Sequence, residues 1–219
     1  MADDFLSAFK NATEDKSIRA ILITGSGRAF CAGQDLEEAT RKNGPSIDEI
    51  IDHTYNPICT QIYNSKKPVI CYVNGVAAGA GANLALACDI TIAAKTAKFI
   101  QSFINIGLVP DTGGSFNLPR TIGKQKAAAL MMSGDKVNSE DAERMGMIYK
   151  CVEDADGLEE AMQFTKRISL MPSKSIEYIK NLLKASETNN LQQQLDLERE
   201  LQKKAASSYD HKEGVNAFF

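Results

Sequence analysis

KPVICYVNGVAAGAGANLALACDI, residues 67–90, is the stretch that decides the fold. After the breaker Lys66-Lys67-Pro68, Val69 to Val73 is an unbroken apolar, β-branched run that reads as a buried strand. Asn74-Gly75 ends it. The small residues Gly79-Ala80-Gly81-Ala82 then open a helix to about Ala87, and Ile90 to Ala94 is a further strand. At the start of that helix the Ala80 N–H has no intrahelical acceptor, and the aligned peptide dipoles favour negative charge beside it. Small side chains there let a ligand approach the backbone. They equally suit close helix–strand packing, and from this segment alone both readings stand.

Toward the N-terminus, Ile18 to Thr24 (IRAILIT) is another buried strand, entering Gly25-Ser26-Gly27. The opening MADDFLSAFKNATEDK has the acidic amphipathic pattern of a helix, without the basic-then-apolar order of a signal peptide. Ser46 followed by Glu49 resembles a capping box, opening a helix through about Asn64. On the other side, Ala97 to Gln101 is a short strand, Gly107 to Gly114 a loop dense in breakers, and Lys124 to Met132 a helix. Ser139 and Gly146 bracket a short helix as N-cap and C′, and Met147 to Val152 is a last strand. From Gly157 onward the pattern is helical, with Pro172 at a first helical position. Strand, strand, helix recurs, which defines an α/β class. The composition shift near residue 155 divides a core, 1–155, from a C-terminal helical region, 156–219.

Composition excludes several functions. A formal charge of −3 over 219 residues opposes a large basic surface, so neither nucleic acid nor an anionic membrane is an expected partner. The most apolar stretch, Val76 to Cys88, is too short to span a bilayer. Five widely spaced cysteines, none in C-x-x-C spacing, fit reduced structural thiols in a cytoplasmic protein. Phe30 and Leu84 stand where G-x-G-x-x-G would need its third glycine, and no P-loop occurs, so nicotinamide and P-loop chemistry are disfavoured. His53 and His211 are the only histidines, too few for a metal centre or a histidine triad. Chemistry is left to carboxylates and backbone groups.

Four pieces, ILITGSGRAFCAGQDL (21–36), KPVICYVNGVAAGAGANLALACDI (67–90), GLVPDTGGSFNLPRTIG (107–123) and HKEGVNAF (211–218), resemble the crotonase family, the enoyl-CoA hydratase and isomerase superfamily. The resemblance runs from about Ile18 to Phe218. It implies a spiral of strand-strand-helix turns with a C-terminal helical region, and assembly as a homotrimer or a dimer of trimers. It implies an acyl-CoA substrate, whose coenzyme A is part of the substrate and leaves no separate cofactor or metal to bind. It also implies an oxyanion hole whose donors are the N–H groups of Gln34 and Ala80. Ala32 and Gly33 fall at the CoA-contacting backbone, and Phe218 at a C-terminal position that closes over the CoA site. Against the family pattern, the strand pair before the first helix and the basic C-terminal tail are missing, and Glu37 stands where some relatives carry a CoA-contacting lysine.

The departures bear on the reaction. Asn83 and Phe103 occupy the positions of the two glutamates with which hydratases handle water, and neither side chain can exchange a proton as a carboxylate does. They are expected to shape the acyl pocket and exclude water. Asp111 matches the active-site carboxylate of isomerase-type relatives, and GQDL with GLVPDTGG most resembles the ring-1,2-epoxyphenylacetyl-CoA isomerase branch. The resemblance thus implies enolate stabilisation by Gln34 and Ala80 with proton transfer by Asp111, as in Δ3,Δ2-enoyl-CoA isomerases. A hydratase or another crotonase-type reaction remains an alternative, as does a silent CoA-ester-binding subunit in which Asp111 serves only to cap the following helix.

Overall fold

The computed structural model describes residues 1–35, 37, 41–42 and 44–218. Leu36, the last residue of the GQDL motif, lies outside the described residues.

Helix α1 (Ala2–Glu14) leads into β1 (Ile21–Thr24) and β2 (Ala29–Cys31). Ser46 and Glu49 form the expected reciprocal capping box and start α2 (Ile47–Ile50), which runs through a π-helical turn (Ile51–Tyr55) into α3 (Asn56–Asn64). The second turn of the spiral is β3 (Val69–Val73), β4 (Val76–Ala78) and α4 (Ala80–Ala87). The third is β5 (Ile90–Ala94), β6 (Lys98–Ile100), a 3-10 turn (Ser102–Ile106), α5 (Gly114–Ile122) and α6 (Lys124–Ser133). After β7 (Lys136–Asn138), α7 (Ser139–Arg144) and β8 (Lys150–Val152) come the helices α8 (Gly157–Ser169), α9 (Ser173–Ser186), α10 (Leu191–Ala206) and α11 (Tyr209–Phe218).

Two four-stranded sheets result, in the orders β1-β3-β5-β8 and β2-β4-β6-β7, parallel throughout except for the antiparallel β6–β7 pair. Each of the first three turns therefore lays one strand in the first sheet and the next in the second. Every residue of β3 is buried, as a central parallel strand covered on both faces requires. On one side lies the cluster of Phe9, Ile58, Ile62 and Val69 beneath α1 and α3; on the other, the main core includes Ala161 and Phe164 of α8. Chain composition changes near residue 155, but α8 still packs into the core, and a Cβ on Gly157 would stand 2.2 Å from the Tyr72 hydroxyl.

Several boundaries differ from the sequence reading. Strands β2, β4 and β7 were not anticipated, because Ala29–Cys31, Val76–Ala78 and Lys136–Asn138 are three residues each, too short to show a period. Strand β1 starts at Ile21 rather than Ile18, and β8 at Lys150 rather than Met147. The cap of α7 is Asn138, whose side chain accepts from the Asp141 N–H. Ser139 cannot serve, since its buried hydroxyl donates to the Ala94 carbonyl at 2.6 Å. Gly146 does follow α7 at φ +80°. Pro172 is the residue before α9 rather than its first, a one-residue difference of the kind helix ends show.

Candidate active site

Asn74 draws the ends of the first two spiral turns together. Its Oδ1 accepts from the Gly25 N–H at 3.1 Å and its Nδ2 donates to the Gly27 carbonyl at 2.9 Å. The two glycine-flanked segments therefore leave one end of the sheets side by side, as two parallel neighbours must when each turns immediately after its strand. A Cβ on Gly81 would lie 2.1 Å from the Cys31 carbonyl oxygen, so the start of α4 rests directly on the backbone of β2. Gly33, at φ +92°, approaches the same helix: a Cβ there would lie 3.1 Å from the Ala78 carbonyl oxygen and 3.7 Å from the Ala80 amide nitrogen.

Ala80 is the first residue of α4, and no side chain caps this helix end. Its preceding Gly79 takes φ 54°, ψ −125°, a conformation that side-chain-bearing residues rarely adopt. The close-packing reading of this small-residue series is thus realised at Gly81, while Gly79 and Ala80 leave a helix N-terminus whose dipole favours an anion. Gln34 is fixed from outside: the Tyr55 hydroxyl donates to its side-chain oxygen at 3.1 Å. Tyr55 ends the π-helical turn, an irregularity often found at functional sites. Ala32 is exposed.

The third component is the loop before α5. Asn83, three residues into α4, is wholly buried; its amide donates to the Asp111 carbonyl at 2.8 Å and accepts from Gln101 at 2.8 Å. Asn83, expected to shape the acyl pocket, has its side chain committed to the Asp111 carbonyl and Gln101. Phe103 is also buried, its ring against Gly79. Asp111 is half-buried, and that burial pushes its carboxyl above the usual carboxylate value, opposed by the Thr112 hydroxyl, which donates to Oδ1 at 2.7 Å. Helix α5 starts at Gly114 behind Gly113, so the Asp111 side chain is not its cap. Thr112 carries φ +51°, the one positive value at a non-glycine among the described residues, at a cost of about 1–2 kcal/mol.

Gln34, Ala80 and Asp111 are therefore linked through Gly33, Asn83 and the Asp111 backbone, with a buried phenyl ring alongside. Phe218 is elsewhere. It is 86% exposed on α11 and lines a groove with Pro172, Gln202 and Val215, none of them residues of this group. A cavity of about 520 Å³ between β8 and α8, lined by Tyr149, Phe164 and Arg167 among others, also shares no residue with it. Sequence reasoning missed Tyr55, Thr112 and Gln101. Only the first carried a signal, a large aromatic at helical spacing before the buried Ile58 and Ile62.

An uncapped helix end, a glycine loop across from it and one half-buried carboxylate thus meet at one end of a two-sheet spiral. The protein belongs to the enoyl-CoA hydratase/isomerase family, whose model matches residues 1–219. It is 44% identical over 212 residues to the 1,2-epoxyphenylacetyl-CoA isomerase of Escherichia coli K12, spanning 95% of this chain and 81% of that protein. It is 42% identical over 200 residues to a Rhodobacter capsulatus protein described as a probable enoyl-CoA hydratase, spanning 91% and 77%. The crystal structure of a Mycobacterium abscessus protein classed with the enoyl-CoA hydratases and isomerases superposes with TM-score 0.95 at 32% identity, covering 99% of this chain and 85% of that one. The crotonase-type fold and family expected from the motifs are thus established. Among the described residues no helix is long and apolar enough to cross a membrane.

Proposed function

We propose that the protein is an isomerase acting on a CoA thioester, either a ring-1,2-epoxyphenylacetyl-CoA or a linear 3-enoyl-CoA, with Asp111 as its proton carrier. The thioester oxygen accepts from the Gln34 and Ala80 amides. Negative charge grows on that oxygen as the α-proton leaves, so these donors stabilise the enolate more than the ground state, typically by about 3–4 kcal/mol for each donor. Asp111 removes the C2 proton and returns it at C4, and burial raises its basicity for that purpose. Ala32 and Gly33 contact the CoA moiety, and Phe103 keeps water from the acyl chain. No cofactor beyond the substrate's own coenzyme A takes part. The protein works in the cytoplasm as a homotrimer or a dimer of trimers.

The observation that carries this reading is the carboxylate inventory. Asn83 and Phe103 are buried where hydratases need acids, and Asp111 stands on the loop that Asn83 holds. The epoxyphenylacetyl-CoA isomerase relative agrees with it; the Rhodobacter relative favours hydration as the second reading. Incubation with a 3-enoyl-CoA, with product analysis, decides between them. Isomerisation to the 2-enoyl thioester that Asp111→Asn abolishes is the expected result. A 3-hydroxyacyl product, or turnover retained in Asp111→Asn, overturns it.

A further inference from the structure

We propose that Thr112 is a positioning residue for Asp111, its buried hydroxyl fixing the orientation of that carboxylate. The inference rests on the reading of Asp111 as the proton carrier. Thr112 is 1% exposed, so its hydroxyl cannot reach a substrate, and the hydroxyl is committed to Asp111 Oδ1 at 2.7 Å. To put it there the backbone accepts φ +51° at a β-branched residue, although Gly113 and Gly114 follow at once in the chain. A glycine would adopt this conformation freely, so the side chain is what the strain retains. The loop is otherwise fixed by backbone contacts that do not need Thr112: the Asp111 carbonyl accepts from Asn83 Nδ2 at 2.8 Å and from the Gly114 N–H at 2.8 Å. Those bonds hold the main chain. The carboxylate itself is held by its own backbone N–H and, from outside the residue, by Thr112.

The charge environment makes the Thr112 bond influential. Helix α3 presents Cys59, whose Sγ would lie 2.9 Å from a Cβ on Gly113 and whose thiol burial pushes up, keeping it neutral at neutral pH. Helix α4 presents the uncharged Asn83, and α5 turns Arg120 toward the Phe116 ring and Glu187. Burial raises the Asp111 proton affinity, and the Thr112 hydroxyl and then the residue's own backbone N–H lower it, with no charged side chain contributing. The hydroxyl thus keeps the carboxylate ionised, and so able to accept a proton, at lower pH than burial alone would allow.

The test compares Thr112→Val, which keeps the shape, Thr112→Ala, which removes the hydroxyl without a second branch at positive φ, and Thr112→Ser, which restores the hydroxyl. The Asp111 carboxyl is titrated by carbon NMR, its resonance identified by its loss in Asp111→Asn, and the pH profile of kcat is recorded with a 3-enoyl-CoA. Valine or alanine is expected to move the Asp111 midpoint up by about one pH unit, and the acid limb of kcat with it. The same variants should lower kcat about tenfold with KM nearly unchanged, and serine should restore both readouts. An unmoved midpoint, or serine behaving like valine, overturns the inference. Asp111→Asn separates this from the reading beneath it. Full turnover in that variant removes Asp111 as proton carrier, whereas an inactive Asp111→Asn with an unmoved midpoint in Thr112→Val removes only the role of Thr112.

Discussion

Gly33 lies against the backbone of Ala80, so closely that an added Cβ would stand 3.7 Å from the Ala80 amide nitrogen. The residue after Gly33 is Gln34, and the contact therefore sets the distance between the two backbone donors of the proposed oxyanion hole. Neither donor is a side chain, so their spacing depends on how two loops and a helix pack. Gly81 against the Cys31 carbonyl fixes the helix on β2, and Gly33 fixes the loop on the helix.

Gly33→Ala should separate the donors. The substitution meets both a positive φ and the Ala78 carbonyl oxygen at 3.1 Å, so the loop must shift. Stability is expected to fall by about 1–2 kcal/mol while kcat/KM falls at least about tenfold, because the transition-state interaction is more sensitive to spacing than the fold is. Thermal unfolding and steady-state kinetics measure the two. Wild-type kcat/KM in this variant would show that the contact does not set the donors.

Tyr55→Phe removes a hydroxyl from the outer side of the same hole. The bond to Gln34 Oε1 at 3.1 Å is worth about 1 kcal/mol, which corresponds to about fivefold in kcat/KM. The ring stays in place, so the melting temperature should fall by no more than about 2–4 °C. The pH profile should keep its shape, since Asp111 is held by other groups. A shifted acid limb would mean that Tyr55 acts on the proton carrier instead.

The long elements were legible because their periods were. Val69–Val73, Ala80–Ala87 and the Ser46–Glu49 capping box stand where the residues placed them. The three-residue strands β2, β4 and β7 were not, since so short an extension is fixed by its neighbours in the sheet and not by its own pattern. At the site, Gln34, Ala80 and Asp111 came from matched motifs. Asn83 came with them, but its part in the structure, an amide joining Asp111 to Gln101, depends on a contact across 28 positions of sequence. Thr112 gave no sign of itself, because nothing in PDTGG marks the threonine rather than a glycine as the residue at positive φ.

Asp111→Asn has a second signature besides lost isomerisation. The folded-state proton affinity of Asp111 is raised above the ordinary value of 3.8, chiefly by burial. Its contribution to stability is therefore fully present below that ordinary value and is lost as pH rises through the higher folded one. Asparagine carries no charge at any of these pH values, and the Thr112 hydroxyl can still donate to its oxygen. The variant should be more stable than the wild type at neutral pH, with the difference vanishing in acid. Unfolding in urea across this range measures it, and a variant less stable than wild type at neutral pH would argue that burial does not dominate at Asp111.

Asn83→Asp alters one atom and tests the support of the loop. The asparagine Nδ2 donates to the Asp111 carbonyl at 2.8 Å from a position with 0% exposure. A carboxylate of the same shape cannot donate, and it would set negative charge against that carbonyl in a buried place, although Gln101 could still donate to it. Stability is expected to drop by about 3 kcal/mol at neutral pH. Protonation would restore a donor, so the loss should shrink as pH falls toward about 5, because burial raises the proton affinity of a carboxyl. The proposed isomerase activity should fall with stability and recover with it, as the Asp111 backbone regains its tether. Wild-type stability of Asn83→Asp at neutral pH would mean that the loop is held by the Gly114 N–H alone, and that the amide expected to line the acyl pocket is free to do so.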